Sequence, residues 1–306
     1  MKKTTILWAL MAGTQAWAAA PTPDQIRTAV EALNSCDSFI RYDDEYAYTG
    51  FKNGRIILRS VADPTQVRGF SLRAAPVDVI RQGDQLYVLT TSNIEQWDLT
   101  TSRQVGMYPT FTWGHGGPAS QPTGMVFYKN KLVISHGRLG VTVFDLVSKK
   151  IVRQAELVSA QLPLESMAMA ITSQGSKAYI ALDSYTLVRG GTSPFKGVVL
   201  FNMDTLQVEA ELTGLDPGVN MVLSDSKNLI VGYWGLPIWK YDLSKVRALS
   251  MPNPEKRVWS WPEDGFLKGT PTIDAKYYYS CFQPVVGGKT QPSAARAWQR
   301  TVLDLD

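Results

Sequence analysis

One block of strands and turns recurs along this chain, and it limits the possible folds more than any other feature does. In its clearest copy, Leu86–Thr90 is apolar and rich in β-forming residues, Ile94–Leu99 ends in Trp-Asp-Leu, and Gln104–Tyr108 follows a second turn. Short apolar runs separated by turn residues predict consecutive antiparallel strands. The block therefore indicates an all-β protein built from repeats.

A residue at the end of the third strand marks each copy of the repeat. The markers are Ser60, Asp98, Asp145, Asn202, Asp242 and Asp304. A four-stranded propeller blade takes ~40–45 residues, so the closely spaced markers fit bare blades and the wider ones fit blades with insertions. We predict an all-β, six-bladed β-propeller, or a seven-bladed one if Pro252–Lys268 holds another blade. The Asp residues are expected to end strands by accepting backbone amides of the next turn.

The last blade is one strand short, which leaves an open sheet edge. Residues Pro21–Asn34 fit either a helix capped by Asp24 or, at Ile26–Leu33, a strand. Because this segment precedes the first blade, the strand would complete the last blade, so we expect the N-terminal segment to close the ring. The strands expected in the last blade are Thr270–Asp274, Tyr277–Phe282 and Trp298–Leu305.

The chain has two cysteines, Cys36 and Cys281. Closure of the ring would bring Cys36 beside the last blade, which contains Cys281. A pair of cysteines in an oxidising compartment favours a disulfide. The alternative is two buried thiols.

Residues 1–20 are typical of a signal peptide. Lys2 and Lys3 precede the apolar segment Ile6–Ala12, and small residues suitable for cleavage follow at Ala16–Ala20. The apolar segment is shorter than the ~20 residues that a membrane span needs, and no later segment is apolar enough. We therefore expect residues 21–306 to form a single β-propeller domain that is periplasmic or secreted.

The charge argues against one class of partner. Lys and Arg exceed Asp and Glu by only 31 to 27, and two of the lysines belong to the signal peptide. There is no long basic run, so nucleic acid is not an expected partner.

The repeat text resembles one family of propellers. The segments LYVLTTSNIEQWDLTTSRQV, LVISHGRLGVTVFDLVSKKIV and AYIALDSYTLVRGGTSPFKGVVLFNMDTLQV resemble the LYVxx…VxVxDxxTxxVxxxI block of bacterial YVTN-type, or quinoprotein-amine-dehydrogenase-like, β-propellers. The resemblance covers Tyr46–Asp306 and implies an exported propeller. The family's usual Pro-x-x-(Ala/Val) opening is missing from most blades, and the matching residues serve the fold rather than an activity.

Two cofactors are excluded by missing motifs. Haem c attachment needs CxxCH, which the chain lacks. The pyrroloquinoline-quinone alcohol dehydrogenases carry AxDxxxGxxxW repeats and adjacent cysteines, which the chain also lacks. We expect neither haem nor pyrroloquinoline quinone; a divalent metal stays open.

Function in a propeller usually lies where the inter-blade loops and the loops between second and third strands surround the channel. Aromatic and basic side chains gather on this face, as they do in recognition surfaces. The alternative is that several tryptophans pack between blades, as we expect for Trp97, Trp239 and Trp298. The candidate binding residues are Trp113, Arg138, Arg189, Tyr233, Trp234, Trp259 and Trp261.

A second hypothesis is catalytic. His115 and His136, the only histidines, are both expected on this face, and Asp183 is expected in a neighbouring loop. Imidazole and carboxylate groups can bind a divalent metal or transfer protons, which would suit a lactonase-like or lyase-like propeller enzyme. The alternative is that the two histidines are solvated or hydrogen-bonded and never meet.

We therefore predict a non-catalytic exported module that binds a protein, peptide or glycan partner in the cell envelope through this loop-rich face. The metal-assisted enzyme is the alternative. A purely structural subunit, with contacts on the outer blade edges, is a third hypothesis.

Overall fold

The computed structural model describes residues 20–110, 121–155, 157, 166–184, 197–212, 221–225, 227–233, 236–243, 256–257 and 265–303. Within these ranges one α-helix and one 3₁₀ helix accompany twenty-four strands. None of the described helices is both long and apolar enough to cross a membrane. The protein is therefore all-β in its described part, as predicted.

The strands form short antiparallel units in chain order. The first unit holds β1 (Phe39–Tyr42), β2 (Tyr46–Phe51), β3 (Arg55–Ser60) and β4 (Val67–Ser71). The second holds β5 (Pro76–Gln82), β6 (Gln85–Thr90), β7 (Asn93–Asp98) and β8 (Arg103–Pro109). The third holds β9 (Gly124–Tyr128), β10 (Lys131–Ser135), β11 (Val141–Asp145) and β12 (Lys150–Ala155).

The later units follow the same plan. The fourth holds β13 (Ser166–Gln174), β14 (Lys177–Ser184), β15 (Gly197–Asn202) and β16 (Gln207–Leu212). The fifth holds β17 (Met221–Ser224), β18 (Asn228–Tyr233), β19 (Leu236–Asp242) and β20 (Lys256–Arg257). The last holds β21 (Gly265–Ile273), β22 (Tyr277–Val286), β23 (Lys289–Thr290) and β24 (Ala294–Gln299).

The first strands of successive units lie side by side. β1 contacts β5, β5 contacts β9, β9 contacts β13, β13 contacts β17, and β17 contacts β21. β21 in turn pairs in parallel with β1 through Thr270 and Phe39, so the first and last units share one eight-stranded sheet. This arrangement places the first strands of all six units next to one another, although they are far apart in sequence.

The core lies between neighbouring sheets. Val133 and Val143 of the third unit are fully buried against Ile180 and Val199 of the fourth. Because the middle strands are covered on both faces, they carry runs of apolar residues rather than strict alternation. At roughly 25 cal/mol per Å² of apolar surface, burial between sheets is the main stabilising contribution.

Two of the marker residues, Asp98 and Asp145, accept backbone amides as predicted. Asp98 accepts the backbone amide of Thr101 at 2.8 Å, and Asp145 accepts that of Ser148 at 2.7 Å. These hydrogen bonds lower the pKa of both carboxyl groups, because they stabilise the ionised form. The residues therefore fix the turns between the third and fourth strands.

The N-terminal segment forms a helix, so its prediction as a closing strand is wrong. Helix α1 spans Pro23–Glu31 and is capped by Thr22, whose side chain and that of Gln25 form a reciprocal capping box. The predicted cap, Asp24, lies in the first turn instead. Its carboxylate accepts hydrogen bonds from Lys276 Nζ at 2.8 Å and from Tyr277 Oη at 2.5 Å.

The predicted disulfide between Cys36 and Cys281 is confirmed. The two Cα atoms are 5.6 Å apart, although 245 residues separate them in sequence. Both cysteines are buried in a cluster where the apolar face of α1, including Val30, packs on residues of the first and last units such as Ile40. The helix and the disulfide thus hold these two units together.

The last unit differs from its predicted bounds. β21 begins at Gly265 rather than Thr270, and β24 ends at Gln299, where the chain turns into a 3₁₀ helix (Arg300–Leu303). The turn is stabilised by a nearly buried ion pair between Arg300 and Asp225, with a distance of 2.7 Å from Nη1 to Oδ2. This contact attaches the end of the described chain to the fifth unit.

Candidate functional site

The first strand of each unit is called its inner strand. A cavity of about 670 Å³ opens at one end of these inner strands. It lies where β5, β13, β17 and β21 are lined up, beside the β2–β3 and β6–β7 turns. Its volume falls in the range of roughly 300–1,000 Å³ that is common for ligand pockets. The lining residues are Asp37, Ser38, Lys52, Ala75, Pro76, Val77, Thr91, Met169, Met221, Phe266, Leu267, Lys268, Gly269, Thr270, Pro271 and Gln283.

Phe266, Lys268 and Gln283 form one wall of the cavity. Phe266 pairs in register with Gln283, and Lys268 is two residues further along β21. Side chains two residues apart on a strand, and those of directly paired residues, point to the same side of the sheet. Phe266 is 57% exposed, which is unusual for a large apolar side chain.

The chain bends closely past the first unit next to this wall. Gly269 has a φ of +67°, and a Cβ atom there would collide with the backbone of Ser38. The next residue, Thr270, donates its backbone amide to the Ser38 carbonyl at 2.9 Å. Glycine is required here because only glycine permits both the left-handed backbone and the close approach.

The charged groups of the lining are few. Lys52 and Asp37 form a loose ion pair, with 3.9 Å between Nζ and Oδ1, and the Lys52 side chain is 76% exposed. Lys268 is partly buried, and no described residue forms an ion pair with it. Most of the remaining lining is apolar.

A polar network borders the cavity. The Arg41 guanidinium binds the Asp78 carboxylate at 2.7 Å and also donates to the carbonyl of Pro271, a lining residue, at 2.9 Å. Asp78 accepts the backbone amide of Met125 at 3.0 Å. Four inner strands, β21, β1, β5 and β9, are thereby linked in sequence around the cavity.

His136 is fully buried at the end of β10, and its Nδ1 is 3.1 Å from the Thr142 hydroxyl. Burial lowers the pKa of His136 to about 4, so the imidazole is neutral at physiological pH. Arg138 is partly buried in the β10–β11 turn. Asp183 lies in β14, opposite Met167.

Most of the other predicted site residues lie outside the described part of the chain. Tyr233 ends β18, opposite Leu236. The described residues contain no group of three or more His, Cys, Asp or Glu side chains that could hold a metal ion. The predicted residues outside the description are Trp113, His115, Arg189, Trp234, Trp259 and Trp261.

Two of the predicted packing tryptophans do pack in the core. Trp97 stacks at a tilt on Phe70, with ring centroids 5.0 Å apart. Trp298 meets Phe282 edge-on at 5.5 Å and is only 7% exposed. These tryptophans stabilise sheets and do not belong to the cavity.

Sequence reasoning missed Phe266 and Lys268. The sequence predicts an inter-blade loop over Ser250–Gly269, directly before the strand expected from Thr270. The available signal was the Phe-x-Lys spacing itself, which places both side chains on one side if the segment is extended.

Comparison with known proteins supports the fold. No protein-family model matches the chain, and no curated protein matches it in sequence. Solved structures do match. The RRP9 WD40 repeats give a TM-score of 0.57 at 14% identity, covering 87% of this chain and 76% of that one.

Two further solved structures are similar to this chain. The structure of U3-55K gives a TM-score of 0.56 at 13% identity, covering 87% of this chain and 77% of that one. The computationally designed Ika8 protein gives 0.52 at 12% identity, covering 85% and 76%. Because the WD40 repeat is a β-propeller unit, these similarities show a β-propeller fold. The YVTN-type assignment stays a prediction.

Proposed function

We propose that this protein is an exported, non-catalytic binding module that holds a protein or peptide partner at the cavity bounded by β5, β13, β17 and β21. The observation that carries the proposal is the cavity itself, where a large apolar side chain, Phe266, is exposed at the meeting point of several inner strands. Exposed aromatic groups in concave sites are typical anchors for partners. The similarity to WD40-repeat structures supports a role in protein binding.

In this proposal residues 21–306 form one ring of six blades. The neighbour contacts of the inner strands and the pairing of β21 with β1 support a closed ring. Lys256–Arg257 belongs to the fifth sheet and β21 starts at Gly265, which favours six blades over seven. The disulfide and α1 would then reinforce the closure.

Export is supported by two features. The leader sequence at residues 1–20 has the charge and apolar pattern of a signal peptide. The buried disulfide is the kind of bond that forms and persists in an oxidising compartment. A periplasmic or secreted location follows from this proposal.

The test is photo-crosslinking in the native cells. Phe266 is replaced by p-benzoylphenylalanine, an aromatic residue that fits an already exposed position. After irradiation, we expect a discrete adduct of higher mass in the exported fraction. The adduct should disappear when excess unlabelled wild-type protein competes for the partner.

The matched control places the same residue at Val147, which is 75% exposed in the β11–β12 turn, outside the cavity lining. No specific adduct is expected from this position. The same adducts from both positions, or none from position 266, would overturn the proposal.

A further inference from the structure

Two side chains of the cavity wall have a fixed spacing. Phe266 and Lys268 lie on the same side of β21, and two residues along a strand correspond to roughly 7 Å. An extended peptide has the same repeat. It can therefore present one side chain to Phe266 and the side chain two residues away to Lys268.

The described lining of the cavity has two basic side chains and one acidic side chain. The Asp37 carboxylate lies beside Lys52, and Lys268 has no ion-pair partner among the described residues. Among the described lining residues, Asp37 is the one acidic side chain. A partly buried lysine next to apolar surface favours an anion, because a charge with reduced access to water is stabilised by a paired counter-charge.

The rest of the wall suits an apolar group. Met169, Met221, Pro76 and Val77 line the space that Phe266 borders. Methionine side chains adapt their shape to different apolar partners. A neutral sugar chain would find one aromatic ring and leave the Lys268 charge without a counter-charge.

We infer that the cavity recognises an acidic peptide segment of a partner protein, with an apolar side chain against Phe266 and a carboxylate two residues away on Lys268. This inference rests on the proposed function and adds the chemistry of the ligand.

The experiment uses a printed array of nonapeptides with varied flanks around a central Phe-Gly-Glu. Matched series carry Phe-Gly-Lys, Phe-Gly-Gln or Ala-Gly-Glu, and anionic oligosaccharides are printed beside them. We expect the fluorescently labelled protein to prefer the Glu series over the Lys series about tenfold, the effect of one charge-assisted hydrogen bond. The Ala series should be weak.

Charge reversal gives the sharpest readout. Lys268→Glu should invert the preference, so that the Lys series binds better than the Glu series. Lys150→Glu makes the same change at an exposed residue of β12 that is not among the described lining residues, and should leave the preference unaltered. Thermal unfolding of both variants checks that each is folded.

The outcomes separate the two claims. Peptide binding that requires the Phe of the peptide but ignores the charge two residues later overturns the ligand chemistry and leaves the proposed function standing. A preference for the oligosaccharides also overturns it. Absence of peptide binding together with absence of the crosslinked adduct overturns both.

Discussion

The Asp78 carboxylate is almost fully shielded from water and accepts four hydrogen bonds. Arg41 supplies two of them, at 2.7 and 3.1 Å, and the backbone amides of Met125 and Val79 supply the others. The Asp78 side chain is 1% exposed and that of Arg41 is 20% exposed. Removal of one partner from such a pair leaves the other charge poorly compensated.

We therefore expect Asp78→Asn to lower the free energy of unfolding by about 3 kcal/mol. The amide keeps the shape but loses the charge, and its NH₂ group faces a donor. Urea unfolding measured by fluorescence tests this. Asp98→Asn, in an exposed turn, is the control and should lower the free energy of unfolding much less than Asp78→Asn does; equal losses for the two variants would contradict the prediction.

His136 predicts a dependence on pH. Its pKa is about 4 in the folded protein and 6.5 in the ordinary exposed state, because burial disfavours the charged form. Between these values the unfolded chain binds a proton that the folded protein does not. The stability that His136 contributes is present above pH 6.5 and is lost as the pH falls toward 4.

His136→Asn should flatten this part of the pH profile. Between pH 7.5 and pH 4 we expect the wild type to lose up to about 3 kcal/mol more than the variant. The Asn amide can form a hydrogen bond with the Thr142 hydroxyl, which lies beside His136 Nδ1 in the wild type. The measurement is urea unfolding of both proteins across this range, and parallel profiles would show that His136 does not carry the effect.

At the scale of elements, local patterns predicted the strands well. Leu86–Thr90 and its neighbours alternate or run apolar between clear turns, and the structure has strands there. The same holds for the turn residues such as Asp145. These features depend on short-range chemistry, which the sequence displays directly.

Elements that depend on distant contacts were predicted less well. The choice of a strand for Ile26–Leu33 followed from the need to cover a sheet edge, whereas the Thr22-x-x-Gln25 capping box favoured a helix. β21 begins in a segment without a clear pattern because Phe266 and Lys268 face a cavity rather than a core. The face of the candidate site was predictable, but its residues were not.

At the scale of the whole molecule, the meeting of the first and last units decides the integrity of the fold. One parallel pair, the contact at Gly269, helix α1 and the disulfide all lie there. A cross-link that closes so long a loop strongly reduces the conformational entropy of the unfolded chain. In the chain-entropy model its effect is at most ~5 kcal/mol.

We expect the double variant Cys36→Ser, Cys281→Ser to lose about 2–5 kcal/mol of stability. Both side chains are buried, so part of the loss comes from new hydroxyl groups. Addition of a reductant to the denaturation experiment should weaken the wild type and leave the variant unchanged. An identical response of the two proteins to the reductant would contradict the prediction.

The disulfide also changes the connectivity of the molecule. Because Cys36 and Cys281 are joined, the chain between them is a closed covalent loop that includes the whole second, third, fourth and fifth units. One backbone cut inside this loop does not divide the protein into separate molecules. It converts the loop into an open chain with a new pair of ends, while the disulfide bond still connects the two pieces. A protein exposed to proteases would in this way keep its parts together after a first cleavage.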